Sequence, residues 1–203
     1  MSKFTKIISS GSYLPEKILT NKELESIVDT TDEWITERTG IKERRVSSDD
    51  ETSVDMAYQA SIDAINKSGL KKDEIGAIFL ATCTPERKFP STAVLLQNRL
   101  NIKNAFSVDL NAACTGFVYA LDIAKKYIES KQVKYALVVG TEKITSLLDW
   151  TDRNTCVLFG DGAGAMIVGS SDTAGILSST IGSDGSYKDL LTANTDLEYI
   201  EMT

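Results

Sequence analysis

Apolar residues along this chain come in short blocks separated by stretches with three- and four-residue periodicity. Blocks at Phe4 to Ser10, Ile75 to Ala81, Ala105 to Leu110, Tyr135 to Gly140, Val157 with Leu158 and Phe159, Ala163 to Val168, and Ile176 to Ile181 read as strands, since short apolar runs between polar ones suit a buried sheet. Ser53 to Ser68 reads as a helix with Val54, Ala57, Ala60, Ser61, Ala64 and Ile65 on one face and Gly69 as its stop. That face is mostly small, which predicts close packing against a neighbour. Thr92 to Leu100 presents Ala93, Leu96 and Leu100, and Gly116 to Ser130 presents Phe117, Ala120, Leu121, Ala124 and Ile128 at helical spacing. Strands alternating with helices predict an α/β layered fold around a buried sheet. The polar, irregular stretch from Asp29 to Val46 is too long for a simple connection and is a candidate binding surface. Leu197 to Met202 reads as a last polar strand-like piece, and the absence of repeats or Pro-rich linkers predicts one compact unit.

Composition narrows the partners. With 203 residues, 42% hydrophobic, the chain is long enough to bury a substantial core. The start, Met1 to Gly11, has no apolar core of a signal peptide. No later run approaches the roughly 20 apolar residues of a membrane span, so a cytoplasmic protein without membrane partners is expected. The net charge is −7, from 22 basic and 29 acidic residues, with the basic ones scattered. Nucleic acid is therefore a poor partner. Lys42, Arg44 and Arg45 form a local basic spot that suits a phosphate or an acidic protein, or else a solvated charged face.

Three widely spaced cysteines, Cys83, Cys114 and Cys156, argue against a disulfide framework and against a zinc site. Histidine is absent, which removes the commonest general base. Cys114 lies in Asn111, Ala112, Ala113, Cys114, Thr115, Gly116, after a strand and at the first turn of a helix. Helix N-terminal N–H groups and the helix dipole favour a thiolate at such a place. The small neighbours Ala112, Ala113 and Gly116 leave room for an acyl group and for N–H donors to a developing oxyanion, as at a nucleophile elbow. The alternative is a small buried apolar cysteine, which is the reading for Cys83 and Cys156. Gly160 to Ala165 lacks the glycine spacing and following helix of a dinucleotide fingerprint. A tight turn, with glycine allowing positive φ or close backbone approach, is the reading there.

Taken together, Asn111 to Phe117 resembles the active-site cysteine segment of ketoacyl-acyl-carrier-protein synthase III. Gly11 to Pro15, Asp32 to Ile35 with Arg38 to Ile41, Thr151 to Arg153, and Phe159 to Ala165 resemble other motifs of that family, in order along essentially the whole chain. The resemblance implies the N-terminal half of a thiolase-like fold over residues 1–203, a mixed five-stranded sheet with helices on its faces. It implies insertions at about 29–46 and 142–154 that form a coenzyme A mouth, with the second half absent. It implies an acyltransferase initiating fatty acid biosynthesis: Cys114 takes a short acyl group from acyl-coenzyme A, and the acyl-enzyme condenses with malonyl-acyl-carrier protein, losing carbon dioxide. By the same resemblance Trp34 and Arg153 flank the coenzyme A adenine, Arg38 lies near its phosphate end, and Phe89 reaches across a homodimer interface to the partner's acyl pocket. No tightly bound cofactor is implied.

The family's remaining catalytic residues, a histidine and an asparagine, lie in its second half, so a fragment or split product incomplete for full turnover is expected. Two other readings stand beside it. One is a related thiolase-superfamily enzyme of polyketide or other thioester metabolism. The other is a catalytically inactive chain that pairs with a full-length relative.

Overall fold

The computed structural model describes residues 4–193 and 199–202. In chain order come β1 (Phe4–Tyr13), β2 (Lys17–Thr20), α1 (Asn21–Leu24), α2 (Asp32–Thr39), β3 (Glu43–Val46), α3 (Ser53–Ser68) and β4 (Ile75–Ala81). They are followed by α4 (Thr92–Leu100), β5 (Phe106–Leu110), α5 (Gly116–Glu129), β6 (Tyr135–Lys143), α6 (Arg153–Cys156), β7 (Asp161–Ser171), β8 (Leu191–Ala193) and β9 (Ile200–Met202). Contacts divide the chain into two compact units rather than the single one expected. The first takes the chain up to Leu14 with Glu51–Glu142 and Gly162–Ile181; the second takes Pro15–Asp50, Lys143–Asp161 and the chain from Gly182.

The first unit is built on a mixed five-stranded sheet in the order β1-β7-β6-β4-β5. Strand β4 runs parallel to β5 and β6, while β1 is antiparallel to β7. Alternate residues of β4 serve opposite faces. Ile78 and Leu80 join Leu137, Val139 and Ile167 beneath α3 and α4, whereas Ala77 and Phe79 join Ala136, Val138 and Val168 beneath α5. Burial on both faces explains why β4 and β6 read as continuous apolar runs.

Local chemistry sets the helix ends. Thr52 and Asp55 close a capping box at the start of α3, and Gly69, at φ 70°, stops it. The small face of α3 lies on β1: a Cβ on Gly11 would come within 2.3 Å of the Ala60 carbonyl oxygen and 2.4 Å of the Ala64 nitrogen. At α4 the Asp109 carboxylate, projecting from β5, accepts from the N–H groups of Thr92 (2.8 Å) and Ala93 (2.7 Å).

Several sequence expectations change. Asp29 to Val46 holds α2 and β3 rather than irregular chain. Thr31 caps α2 by accepting from Trp34 N–H, and Gly40, at φ 73°, ends it. Val157 to Phe159 is not a strand: Cys156 ends α6 and Val157 follows it, both in a small core with Leu19, Leu24 and Ile35. Ile176 to Ile181 joins no sheet, although Ile176 N–H donates to the Thr5 carbonyl at 2.8 Å. Leu197 and Glu198 lie outside the described residues, and Ile200–Met202 pairs with Leu191–Ala193 as β9.

Candidate active site

Cys114 sits in a 3-10 turn, Ala113–Thr115, between β5 and α5. It is exposed, which removes the reading of a buried structural cysteine. Ala113 before it has φ 43°, a left-handed conformation that costs an L-residue with a Cβ about 1–2 kcal/mol. Strain of this kind persists where the surroundings force it and is frequent next to reacting groups. Close packing fixes the start of α5. A Cβ on Gly116 would meet the Ala81 Cβ at 3.0 Å, and one on Gly140 would meet Phe117 at 3.2 Å. Gly116 is therefore small so that the helix can approach β4, not to make room for an acyl group. The N–H groups of Thr115 and Gly116 donate within the turn, to the carbonyls of Ala112 (3.1 Å) and Ala113. Neither is left over for an oxyanion.

Cys114 opens onto a hollow of about 370 Å³ lined by Leu14, Ala81, Phe117, Gly140, Glu142 and Gly164 among others. Ala81 ends β4 and Glu142 lies one residue from the end of β6. The hollow thus sits at the carboxyl ends of parallel strands, where open α/β sheets bind ligands. A Cβ on Gly164 would meet nothing within 4 Å.

Sequence reading missed the polar wall of this hollow. Glu142 Oε1 accepts from the Cys83 N–H at 2.8 Å, and Oε2 accepts from the hydroxyls of Thr84 (2.6 Å) and Thr82 (3.4 Å) and from the Cys83 thiol (3.3 Å). Cys83 is therefore half-buried and hydrogen-bonded rather than simple core. Burial first, then the Glu142 charge and hydrogen bond, push its thiol up to about 12. Cys156 is buried as expected, and burial raises its thiol too. The position of Glu142 just past an apolar run, near the end of β6, was the one signal for its role.

In the second unit α2 presents Trp34, whose ring is approached by two guanidinium groups. Arg38 Cζ lies 4.5 Å from the indole centroid and Arg153 Cζ lies 4.7 Å from it. Arg153 Nη1 also donates to the Asp29 carbonyl at 3.1 Å. Beside that carbonyl, the Thr30 hydroxyl oxygen is buried without a hydrogen-bond partner. A planar ring between indole and guanidinium needs about 7 Å, twice the contact distance of about 3.5 Å. At 4.7 Å Arg153 rests on Trp34 itself.

The basic spot at Lys42, Arg44 and Arg45 is neither a phosphate site nor a solvated face as a whole. Arg44 is buried and donates to the Leu19 carbonyl (3.0 Å), Asn21 Oδ1 (2.8 Å) and the Val157 carbonyl (3.2 Å). Arg45 donates to the Pro15 carbonyl at 3.0 Å, and Lys42 alone of the three is exposed. The glycine motif also differs from the turn expected. Gly160 and Gly162 have ordinary φ, and β7 begins at Asp161. Close approach does hold, since a Cβ on Gly160 would meet the Arg45 carbonyl oxygen at 3.0 Å. Buried Asp161 accepts from the N–H and hydroxyl of Ser47 (2.8 and 2.7 Å) and of Thr145 (2.9 and 2.6 Å). That clip is structural.

Phe89 is 83% exposed on the connection between β4 and α4. Its loop is anchored where Glu86 accepts from the Val54 N–H at 2.7 Å and the Ser53 hydroxyl donates to the Thr84 carbonyl at 2.8 Å.

The family model for 3-oxoacyl-[acyl-carrier-protein (ACP)] synthase III matches residues 108–185, which hold Cys114 and the start of β7. The crystal structure of 3-oxoacyl-[acyl-carrier-protein] synthase III from Aquifex aeolicus superposes on 98% of this chain with a TM-score of 0.94 and 51% identity. The chain belongs to the 3-oxoacyl-[acyl-carrier-protein] synthase III family. Its mixed sheet with flanking helices is the thiolase-like arrangement of those synthase III structures. The β-ketoacyl-[acyl-carrier-protein] synthase III of Xanthomonas oryzae is 53% identical over 193 residues, 94% of this chain. A priming β-ketosynthase of the R1128 polyketide pathway superposes on 99% of this chain with a TM-score of 0.94 at 36% identity. The chain spans 59% of the length of the Xanthomonas relative and 64% of the Aquifex structure. Among the described residues no helix is long and apolar enough to cross a membrane.

Proposed function

We propose that this chain carries the acyl-accepting centre of a 3-oxoacyl-acyl-carrier-protein synthase III, an acyltransferase that starts fatty acid biosynthesis. The observation that carries the reading is Cys114: exposed, beside a left-handed Ala113, at the mouth of a hollow at the strand ends. The Cys114 thiol loses its proton and its sulfur attacks the thioester carbonyl of acyl-coenzyme A. A new carbon–sulfur bond forms, the bond to coenzyme A breaks, and coenzyme A leaves as a thiol on taking a proton. The acyl-enzyme then condenses with malonyl-acyl-carrier protein with loss of carbon dioxide.

Trp34 and Arg153, within residues 29–46 and 142–154, are the adenine clamp of the coenzyme A mouth in this reading, with Arg38 serving the phosphate end. Support comes from the indole already contacted by two guanidinium groups, a surface suited to stacking a purine. Arg153 leaves the indole to admit the ring. Phe89, exposed on an anchored loop, serves the partner's acyl pocket in a homodimer. Coenzyme A is a substrate, no tightly bound cofactor is required, and the protein works in the cytoplasm. The 203 residues include no histidine, so none of them supplies the imidazole that the resemblance assigns to decarboxylation. The likeness to a polyketide-priming ketosynthase favours one second reading, the same acyl transfer feeding polyketide rather than fatty-acid extension.

The test is intact mass and peptide mapping after incubation of the chain with acetyl-coenzyme A. The expected result is one acetyl group confined to the Cys114 peptide and absent from Cys114→Ser. A folded chain that gains nothing, or a Cys114→Ser chain acetylated on the same peptide, overturns the proposal.

A further inference from the structure

Glu142 is a half-buried carboxylate on the wall of the Cys114 hollow. None of the ion pairs among the described residues includes it. A carboxylate held from water without a cation needs donors at its oxygens, and here they come from three consecutive residues. The Cys83 N–H reaches Oε1 at 2.8 Å, and the Thr84 hydroxyl reaches Oε2 at 2.6 Å, with the Cys83 thiol at 3.3 Å and the Thr82 hydroxyl at 3.4 Å. The raised Cys83 thiol keeps its proton and remains a donor at neutral pH. Thr82 follows directly on β4, and its N–H donates to the Leu110 carbonyl at the end of β5 (3.2 Å). Glu142 therefore ties the chain leaving β4 to the end of β6, at the rim from which Cys114 also emerges. The tie continues inward. Ser53 donates to the Thr84 carbonyl (2.8 Å), and the Thr141 hydroxyl donates to the Ser53 carbonyl (2.9 Å).

We propose that Glu142 is a positioning residue for acyl transfer: by accepting from Thr82, Cys83 and Thr84 at once, it fixes the polar wall of the Cys114 hollow and so aligns the incoming thioester carbonyl with the sulfur. The inference rests on the reading of Cys114 as acyl acceptor. Only an ionised carboxylate fits all these donors, because it accepts at both oxygens, whereas an amide of the same shape offers one acceptor and two N–H donors. Glu142→Gln thus keeps the volume and sets N–H groups against hydroxyl, thiol or amide donors. The wall then shifts. A misplacement approaching 1 Å costs up to about a hundredfold in rate.

The experiment measures acetyl transfer from acetyl-coenzyme A to Cys114 in the unaltered chain, in Glu142→Gln and in Thr84→Val, alongside iodoacetamide alkylation of Cys114 and thermal melting. In Glu142→Gln the maximal transfer rate is expected to fall about tenfold. The half-saturating acetyl-coenzyme A concentration and the alkylation rate stay within about twofold, since neither needs an aligned carbonyl. Thr84→Val, which removes the shortest hydroxyl donor but keeps the carboxylate, falls in the same direction by about threefold and stands in should Glu142→Gln fail to fold. Equal transfer rates in all three chains overturn the inference. Parallel losses in transfer, alkylation and melting temperature also overturn it, leaving Glu142 a structural role only. An unaltered chain that takes no acetyl group overturns both this inference and the reading beneath it, which separates the two failures.

Discussion

Cys83 and Glu142 meet at 3.3 Å, and burial together with that carboxylate pushes the thiol up to about 12. At pH 8 such a thiol is about one part in ten thousand thiolate, against roughly a quarter for a free cysteine near 8.5. Cys83 is therefore expected to react with iodoacetamide about a thousandfold more slowly than free cysteine, while exposed Cys114 takes the label. Peptide-resolved alkylation between pH 7 and 10 checks this, and early labelling of Cys83 would count against it. The sign for stability follows. A folded-state value above the unfolded one favours the folded chain in full below about pH 8.5, and that contribution is lost as pH rises towards 12. Among single residues, the placement of Cys114 was legible because it is local: a cysteine in the junction between a strand and a helix, although it falls in a 3-10 turn just before α5 rather than in the helix's first turn. Glu142, Asp161 and Arg44 were not. Their partners are far away in the chain, as with Ser47 and Asp161, 114 residues apart, and a linear pattern carries no trace of such pairings.

Elements whose ends are set by nearby residues were read closely, as α3, which runs from its Thr52–Asp55 capping box to Gly69, and α4, which starts after Ser91. By contrast α2 was missed because only Ile35 in it is buried, so it has almost no apolar periodicity even though Thr31 and Gly40 mark its ends. The small face of α3 carried real information about packing. It predicts that Gly11→Ala is costly, because the new methyl would overlap backbone atoms of α3 at 2.3 and 2.4 Å, and neither can turn aside as a side chain would. Overpacking of this kind costs about 1–3 kcal/mol, and Gly11→Ala belongs at the upper end. A urea midpoint lowered accordingly, with an unchanged slope, is the expected result. Unaltered stability would mean that α3 and β1 separate easily.

At the scale of the whole molecule, the chain holds two units with different chemical equipment: a thiol hollow at the strand ends in one, an indole stacked by guanidinium groups in the other. If the second unit docks coenzyme A as proposed, its contribution should be measurable without any reaction at Cys114. In the free chain Arg153 already contacts Trp34 at 4.7 Å, so docking exchanges one cation–π contact for a guanidinium–purine contact and a purine–indole contact. The net gain is the difference, about 0.5–2 kcal/mol. Arg153→Ala is therefore expected to weaken coenzyme A binding by about three- to tenfold in calorimetry, a modest loss because the variant leaves the indole face open. Alkylation of Cys114 by iodoacetamide, which needs no adenine site, should not change. Trp34→Ala removes the platform itself and should cost more than Arg153→Ala. The reverse order would mean that Arg153 acts through the phosphate charges rather than by stacking, and equal binding in all three chains would remove the adenine clamp from this surface.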